Sequence, residues 1–234
     1  MTPMFRPFST SEQLASALAD TVVNTLSTAI EARGQAVLAV SGGSTPARFF
    51  GGLSQRPLAW DRVTVVLVDE RCVPPTHPRS NLSFVRRLLC PPGRPAGAAR
   101  LRPLVDDLGR PCTDTDDILQ FIDLAILGMG TDGHTASWFP GADRLDTALD
   151  PDAPPELLST SAPGAPEPRV TLTWATLRTA GALVLHIEGP AKKAALQAAL
   201  APGPLTALPV RRVLFQDDVQ LTIFADFSAP EPTP

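Results

Sequence analysis

At about 100–200 residues per domain, a chain of 234 residues is one large domain or two tight ones, and its 44% hydrophobic and 19% charged composition supports a sizeable core and excludes wholesale disorder. Twenty basic against 24 acidic residues leave a net charge of −4, without the basic surplus of an ordinary nucleic-acid binder. The three cysteines, Cys72, Cys90 and Cys112, have no paired spacing, which excludes a disulfide framework and a four-cysteine zinc site.

The chain opens MTPMFRPFSTSEQL, without a cationic head followed by an apolar block, so no signal peptide is expected. No stretch approaches the ~18 consecutive apolar residues of a membrane span, and a cytoplasmic protein with reduced thiols is the expectation. Residues 11–32 place apolar side chains at three- and four-residue intervals, with Ser11 as a possible cap and Gly34 as the stop, which predicts an amphipathic helix. AVLAV at 36–40 is a continuous apolar run, as a strand buried on both faces requires. SGGSTP follows, with a helix from Pro46 to about Leu53, and then a second buried strand, VTVVLV at 63–68.

A helix is predicted over SNLSFVRRLL, 80–89, and no element over the Pro/Gly/Arg-rich stretch 91–117. IDLAILGMG at 122–130 is a third buried strand running into a glycine turn. Residues 145–168, rich in Pro, Ala and Asp, read as a long surface loop. VTLTW (170–174), ALVLHI (182–187), RRVLF (211–215) and LTIFA (220–224) read as strands, PAKKAALQAAL (190–200) as a helix, and the tail from about 228 as frayed. The alternation of buried strands with helices predicts a single α/β domain over 1–234, an open, mostly parallel sheet with helices on both faces.

Three turns that follow buried strands carry the chemistry. Ligands of open α/β sheets bind outside the carboxyl ends of the strands, so the three are expected to converge on one crevice. The first is Ser41-Gly42-Gly43-Ser44-Thr45-Pro46. Its glycines admit a ligand close to the backbone, Thr45 or Ser44 is placed to cap the next helix, and the exposed N–H groups at that helix start suit a phosphate, although an ordinary strand-to-helix turn has the same composition. It is neither a P-loop nor a dinucleotide fingerprint. The second is Asp69-Glu70-Arg71, charges at the end of an apolar strand that need partners or solvent. A structural ion pair there competes with an anion site built on the Arg71 fork. Asn81, at the start of the next helix, faces the same side, with a helix cap as its plain reading.

The third turn is Gly128-Met129-Gly130-Thr131-Asp132-Gly133-His134. A lone histidine is ordinarily structural, and His77 and His186 are read so. The glycine context and the neighbouring Asp132 move His134 towards a general base. No pair of histidines with a carboxylate has metal spacing, and no GxSxG nucleophile elbow occurs. Lysine occurs only as Lys192 and Lys193, and two adjacent lysines on a helix are usually a solvated face.

Taken in order, SGGSTP, VDERCVPPTHPRSN, ILGMGTDGHTASWFPG, PRVTLTWATLRTA and GPAKKAAL resemble the 6-phosphogluconolactonase family, within the wider group that contains the glucosamine-6-phosphate deaminases. The motifs anchor the chain from about 36 to 200. Deaminases typically continue DGHIAFNEP, with an acidic residue where Phe139-Pro140-Gly141 stands here. Two departures are Arg79, in place of an Asp before Ser-Asn, and the missing Ala-rich helix within 91–121.

The resemblance implies hydrolysis of 6-phospho-D-glucono-1,5-lactone, a phosphosugar lactone, with no metal or organic cofactor, by a monomer or weak homodimer. It implies His134 as the acid/base with Asp132 beside it. Gly42, Gly43, Ser44, Thr45, Glu70, Arg71, Asn81, Gly130, Arg169 and Lys192 would bind the substrate. A deaminase-type enzyme and a non-catalytic sugar-phosphate sensor are the alternatives.

Overall fold

The computed structural model describes residues 2–115 and 121–229. In chain order the elements are β1 (Met4–Pro7), α1 (Ser11–Arg33), β2 (Ala36–Val40), α2 (Ala47–Leu53), β3 (Val63–Leu67), β4 (Asp69–Arg71), α3 (Asn81–Leu88), β5 (Arg100–Arg102) and β6 (Leu124–Leu127). They continue as α4 (Leu145–Leu149), β7 (Leu157–Ala162), β8 (Ala165–Leu172), α5 (Trp174–Leu177), β9 (Leu183–Ile187), α6 (Pro190–Leu200), α7 (Arg211–Leu214) and β10 (Leu221–Ala225).

Seven strands form a wholly parallel sheet in the order β1-β10-β9-β6-β2-β3-β5. Its inner strands are the continuous apolar runs of the sequence. Every residue of β6 and β9 is buried, as a sheet covered on both faces demands. The chain runs outward from β2 through β3 to β5 and then returns to the other side of β2 as β6, so the strand order reverses between β2 and β6. β4, β8 and β7 make a second, antiparallel sheet of three strands. It is tied to the large one where the Leu172 N–H donates to the Val68 carbonyl at 2.8 Å. Among the described residues no helix is long and apolar enough to cross a membrane.

α1 forms as its periodicity dictates, with Leu14, Leu18, Val22 and Leu26 buried in one stripe. Its N-cap is Thr10 rather than Ser11: the Thr10 hydroxyl accepts from the Gln13 N–H at 3.2 Å, and the Ser11 hydroxyl donates to Asp226 at 3.1 Å. Gly34 ends the helix in the left-handed region at φ 77°, its N–H donating to the Ile30 carbonyl.

Three expectations are corrected. Residues 145–168 are not a surface loop. They hold α4 and the hairpin β7–β8, which turns at 163–164. The alternation of inward and outward positions is present there, with Leu158 and Thr160 buried and Ser159 and Ser161 exposed, but it is spelled largely in Ser, Pro and Ala instead of large β-branched or aromatic residues. RRVLF is not a strand: Arg211–Leu214 is the short helix α7. The buried Arg211 guanidinium donates to the carbonyls of Ala198, Ala199, Ala201 and Pro204, closing the C-terminal end of α6. The 91–117 stretch does carry elements, a 3-10 turn at Pro95–Ala98 and the edge strand β5. Strand β1, on the opposite edge, has no signal beyond four residues ending in a proline that an edge tolerates. The tail predicted to fray lies outside the described residues beyond 229.

Candidate active site

The turns after β2 and β6 leave the sheet side by side at the point where strand order reverses. The Ser41 N–H donates to the Ile126 carbonyl at 3.0 Å, and the Ser41 hydroxyl accepts from the Gly128 N–H at 3.3 Å. With β4 and β8 from the small sheet and the start of α6 they enclose a cavity of about 280 Å3. The three turns converge on one crevice, as expected.

Of the residues singled out in the sequence, Gly42, Gly43, Ser44, Thr45, Arg71, Asn81, Gly130, His134, Arg169 and Lys192 line this cavity. Gly42 is required by close approach: a Cβ there would overlap the Asn81 carboxamide, which is itself fixed by donating to the Asp69 carbonyl at 2.9 Å. Gly43 sits at φ 93°, beyond easy reach of other residues. Thr45 does not cap α2, whose N-cap is Pro46 with no side-chain bond. Its hydroxyl instead accepts from Lys192 Nζ at 3.0 Å. Lys192 therefore turns inward, and burial lowers its ammonium below the ordinary lysine value, with Glu188 partly restoring it.

Two predicted site residues do not line the cavity: Asp132, which lies against the His134 imidazole, and Glu70, which the structure places elsewhere. Glu70 is fully buried. Its carboxylate accepts from the N–H groups of Arg71, Asn81 and Leu82 at 2.7 Å each and from the Ser80 hydroxyl at 2.9 Å. Burial pushes this carboxyl up and those hydrogen bonds pull it back. Glu70 ties the start of α3 to β4, as a negative group at a helix start does. Arg71, from the opposite face of β4, donates to the Arg79 carbonyl, and Arg79 pairs with Glu167 at 3.1 Å.

His134 stands after a tight turn in which Gly130 leaves room for the imidazole and for Asp132, both of which a Cβ would overlap. Its Nδ1 lies 2.6 Å from Asp132 Oδ1, and its side chain is 30% exposed, so water reaches the ring. The hydrogen bond from the imidazole holds the Asp132 carboxyl below the ordinary carboxylate range. With Nδ1 committed to a carboxylate, the tautomer assigned by this geometry carries its hydrogen on Nδ1 and leaves Nε2 as the basic nitrogen.

The cavity also takes Asp69, Phe139 and His186, none of which the sequence reading placed among the site residues. Asp69 pairs with Arg169 at 3.5 Å and accepts from the Ser137 hydroxyl at 2.6 Å. His186 was read as structural. It is 1% exposed with Nε2 2.7 Å from Glu188, yet its ring also borders the cavity. The available signal was its place at the end of a buried strand just before the Lys192 helix. Among the lining charges, the cations Arg71, Arg169 and Lys192 face a single carboxylate, Asp69. That balance suits an anion, placed beside an imidazole able to move a proton.

The family model described as glucosamine-6-phosphate isomerases/6-phosphogluconolactonase matches residues 9–223. The chain belongs to that family. Among its relatives is a 6-phosphogluconolactonase of Rhizobium meliloti, 47% identical over 228 residues, which cover 93% of this chain and 96% of the relative. The 6-phosphogluconolactonase of Mesorhizobium japonicum is 48% identical over 209 residues, 86% of either chain. A solved structure from Neisseria gonorrhoeae, described as a putative 6-phosphogluconolactonase, superposes with TM-score 0.88 at 36% identity, over 96% of this chain and 99% of that one. A monomeric glucosamine-6-phosphate deaminase, at 20% identity and TM-score 0.72, shares the fold of the glucosamine-6-phosphate isomerase/6-phosphogluconolactonase family.

Proposed function

We propose that the chain, acting as one α/β domain in the cytoplasm, hydrolyses 6-phospho-D-glucono-1,5-lactone to 6-phospho-D-gluconate, the second step of the oxidative pentose phosphate pathway. The observation that carries this reading is the His134–Asp132 pair at the edge of a cavity whose charged lining is three cations and one carboxylate. Near-complete coverage by relatives of that name supports the choice of substrate.

The phosphate is held by Lys192 and the arginines, with the N–H groups of the 41–45 turn as further donors. Neutral His134 takes a proton from water at Nε2 as the water oxygen bonds to C1, and the carbonyl electrons move onto its oxygen. Asp132 steadies the imidazolium that forms. Backbone N–H groups of a glycine turn receive the oxyanion. The intermediate collapses, the bond from C1 to the ring oxygen breaks, and His134 returns its proton to that oxygen. The new carboxylic acid ionises in water. No step calls for a metal or organic cofactor, and a monomer or weak homodimer suffices, because every group named comes from one chain.

The test is lactone hydrolysis corrected for the spontaneous reaction. His134→Gln is expected to lower turnover by roughly 10²–10⁴-fold, the usual worth of general-base help, with affinity for 6-phosphogluconate unchanged. Wild-type turnover in His134→Gln removes the assignment, and ammonia release from glucosamine-6-phosphate moves the chain to the deaminases.

A further inference from the structure

His134 and Phe139 lie five positions apart and face each other. Their ring centroids are 4.1 Å apart, with planes 28° from parallel. The same phenyl ring underlies the Arg169 guanidinium, whose carbon is 5.0 Å from its centroid. One aromatic side chain thus touches both the base and one of the cations that face the substrate.

The chain between the two rings is pinned. The Thr135 hydroxyl donates to the Gly128 carbonyl at 2.7 Å, the Ser137 hydroxyl donates to Asp69, and the Trp138 indole N–H donates to the Leu172 carbonyl at 3.0 Å. Ala136 takes φ 49°, rare for a residue with a Cβ, and holds the bend. Phe139 itself is 7% exposed. These anchors run to the end of β6 and into the small sheet, so the backbone that carries the phenyl ring is fixed by the fold. His134 is held differently: the hydrogen bond to Asp132 fixes one nitrogen but not the tilt of the ring about that contact. A flat neighbour supplies the missing restraint.

We propose that Phe139 is a positioning residue for lactone hydrolysis: its phenyl face fixes the plane of the His134 imidazole relative to Arg169, so that Nε2 meets the attacking water in line with C1. The inference rests on the reading of His134 as the base. Arg169 keeps two further neighbours, Asp69 and the Ser137 hydroxyl, each at 3.5 Å. Loss of the phenyl face therefore falls on the base more than on the cation.

The experiment compares Phe139→Leu, Phe139→Met and Phe139→Tyr with the wild type in the full chain. A misplacement of about 1 Å costs up to about 10²-fold, so Phe139→Leu is expected to lower kcat by roughly 10–100-fold. Its KM changes by about threefold at most, because uniform binding is preserved. Phe139→Met fills similar volume with a flexible chain and gives the same split, so a folding failure in the Leu variant does not decide the matter. Phe139→Tyr keeps the ring and restores most of kcat.

The spectroscopic signature is the upfield shift that a stacked phenyl imposes on the imidazole C–H protons of His134, one of three histidines in the chain. It is lost in the Leu and Met variants and kept in Tyr. Wild-type kcat in the Leu or Met variant, or equal losses of kcat in Leu and Tyr while the Tyr variant keeps the shift, overturns the proposal. His134→Gln in the same series separates the two readings: its inactivity beside a fully active Phe139→Leu sinks the positioning role alone, and its full activity sinks the base assignment beneath it.

Discussion

Lys192 shows how one residue's burial becomes a measurable pH dependence. Its ammonium sits below the ordinary lysine value near 10.5, because burial penalises the charged form more than Glu188 restores it. In the empty fold that penalty is lifted as pH rises through the lowered value. For phosphate binding the sign is opposite, since the anion needs the ammonium. Affinity for 6-phosphogluconate is therefore expected to hold at neutral pH and to fall in the alkaline range before pH reaches the ordinary lysine value. Lys192→Arg, which stays charged, flattens that limb. Titration calorimetry across the range checks it, and identical alkaline limbs in the two proteins refute the assignment. The residue was legible in sequence only through the family motif and the scarcity of lysine. Its inward turn depends on Thr45, 147 positions away, a contact that no local pattern encodes.

At the scale of the element, the turn after β2 is the most exacting piece of the site. A methyl group at Gly42 would overlap an Asn81 carboxamide that has nowhere to retreat, being bonded to the Asp69 carbonyl. Gly42→Ala should cost on the order of 1–3 kcal/mol, the range for overpacking. It should also lower kcat/KM, because the turn and α3 must part. Denaturant unfolding read beside activity checks both, and a variant as stable and as active as wild type contradicts the geometry.

The same element shows where sequence reasoning reaches and where it stops. The strand, the glycine pair and the helix behind them follow from residue types and spacing. The identity of what presses on Gly42 does not, because Asn81 arrives from another segment. Glu70 is the converse case. Its charge at the end of a buried strand correctly demanded partners, but they turned out to be the backbone of α3 rather than a ligand. The β7–β8 hairpin escaped notice because Pro, Ala and Ser can alternate in and out of a sheet without looking like a strand.

For the whole molecule, the parallel sheet and the convergence of strand-end turns on one crevice were readable, since continuous apolar runs admit few arrangements and ligands of such sheets bind beyond the strand ends. The second sheet was not, although it supplies Arg71, Asp69 and Arg169 to the cavity. Binding at a site built from both sheets should stabilise the fold as one unit. At 6-phosphogluconate concentrations of about a hundred times Kd the gain is about 2.7 kcal/mol. For a chain of 234 residues that corresponds to a rise in Tm of roughly 5–10 °C. The rise is retained in His134→Gln and reduced in Arg169→Ala; a rise unaffected by loss of Arg169 would place the anion elsewhere.

The pairing of β4 with β8 sets Arg71 opposite Arg169, nearly a hundred positions apart along the chain. A polypeptide emerging from a ribosome cannot close that pair, nor add Lys192, until most of its length is out. The sugar-phosphate binding proposed for this cavity thus becomes available only after the last of its three cations has left the ribosome.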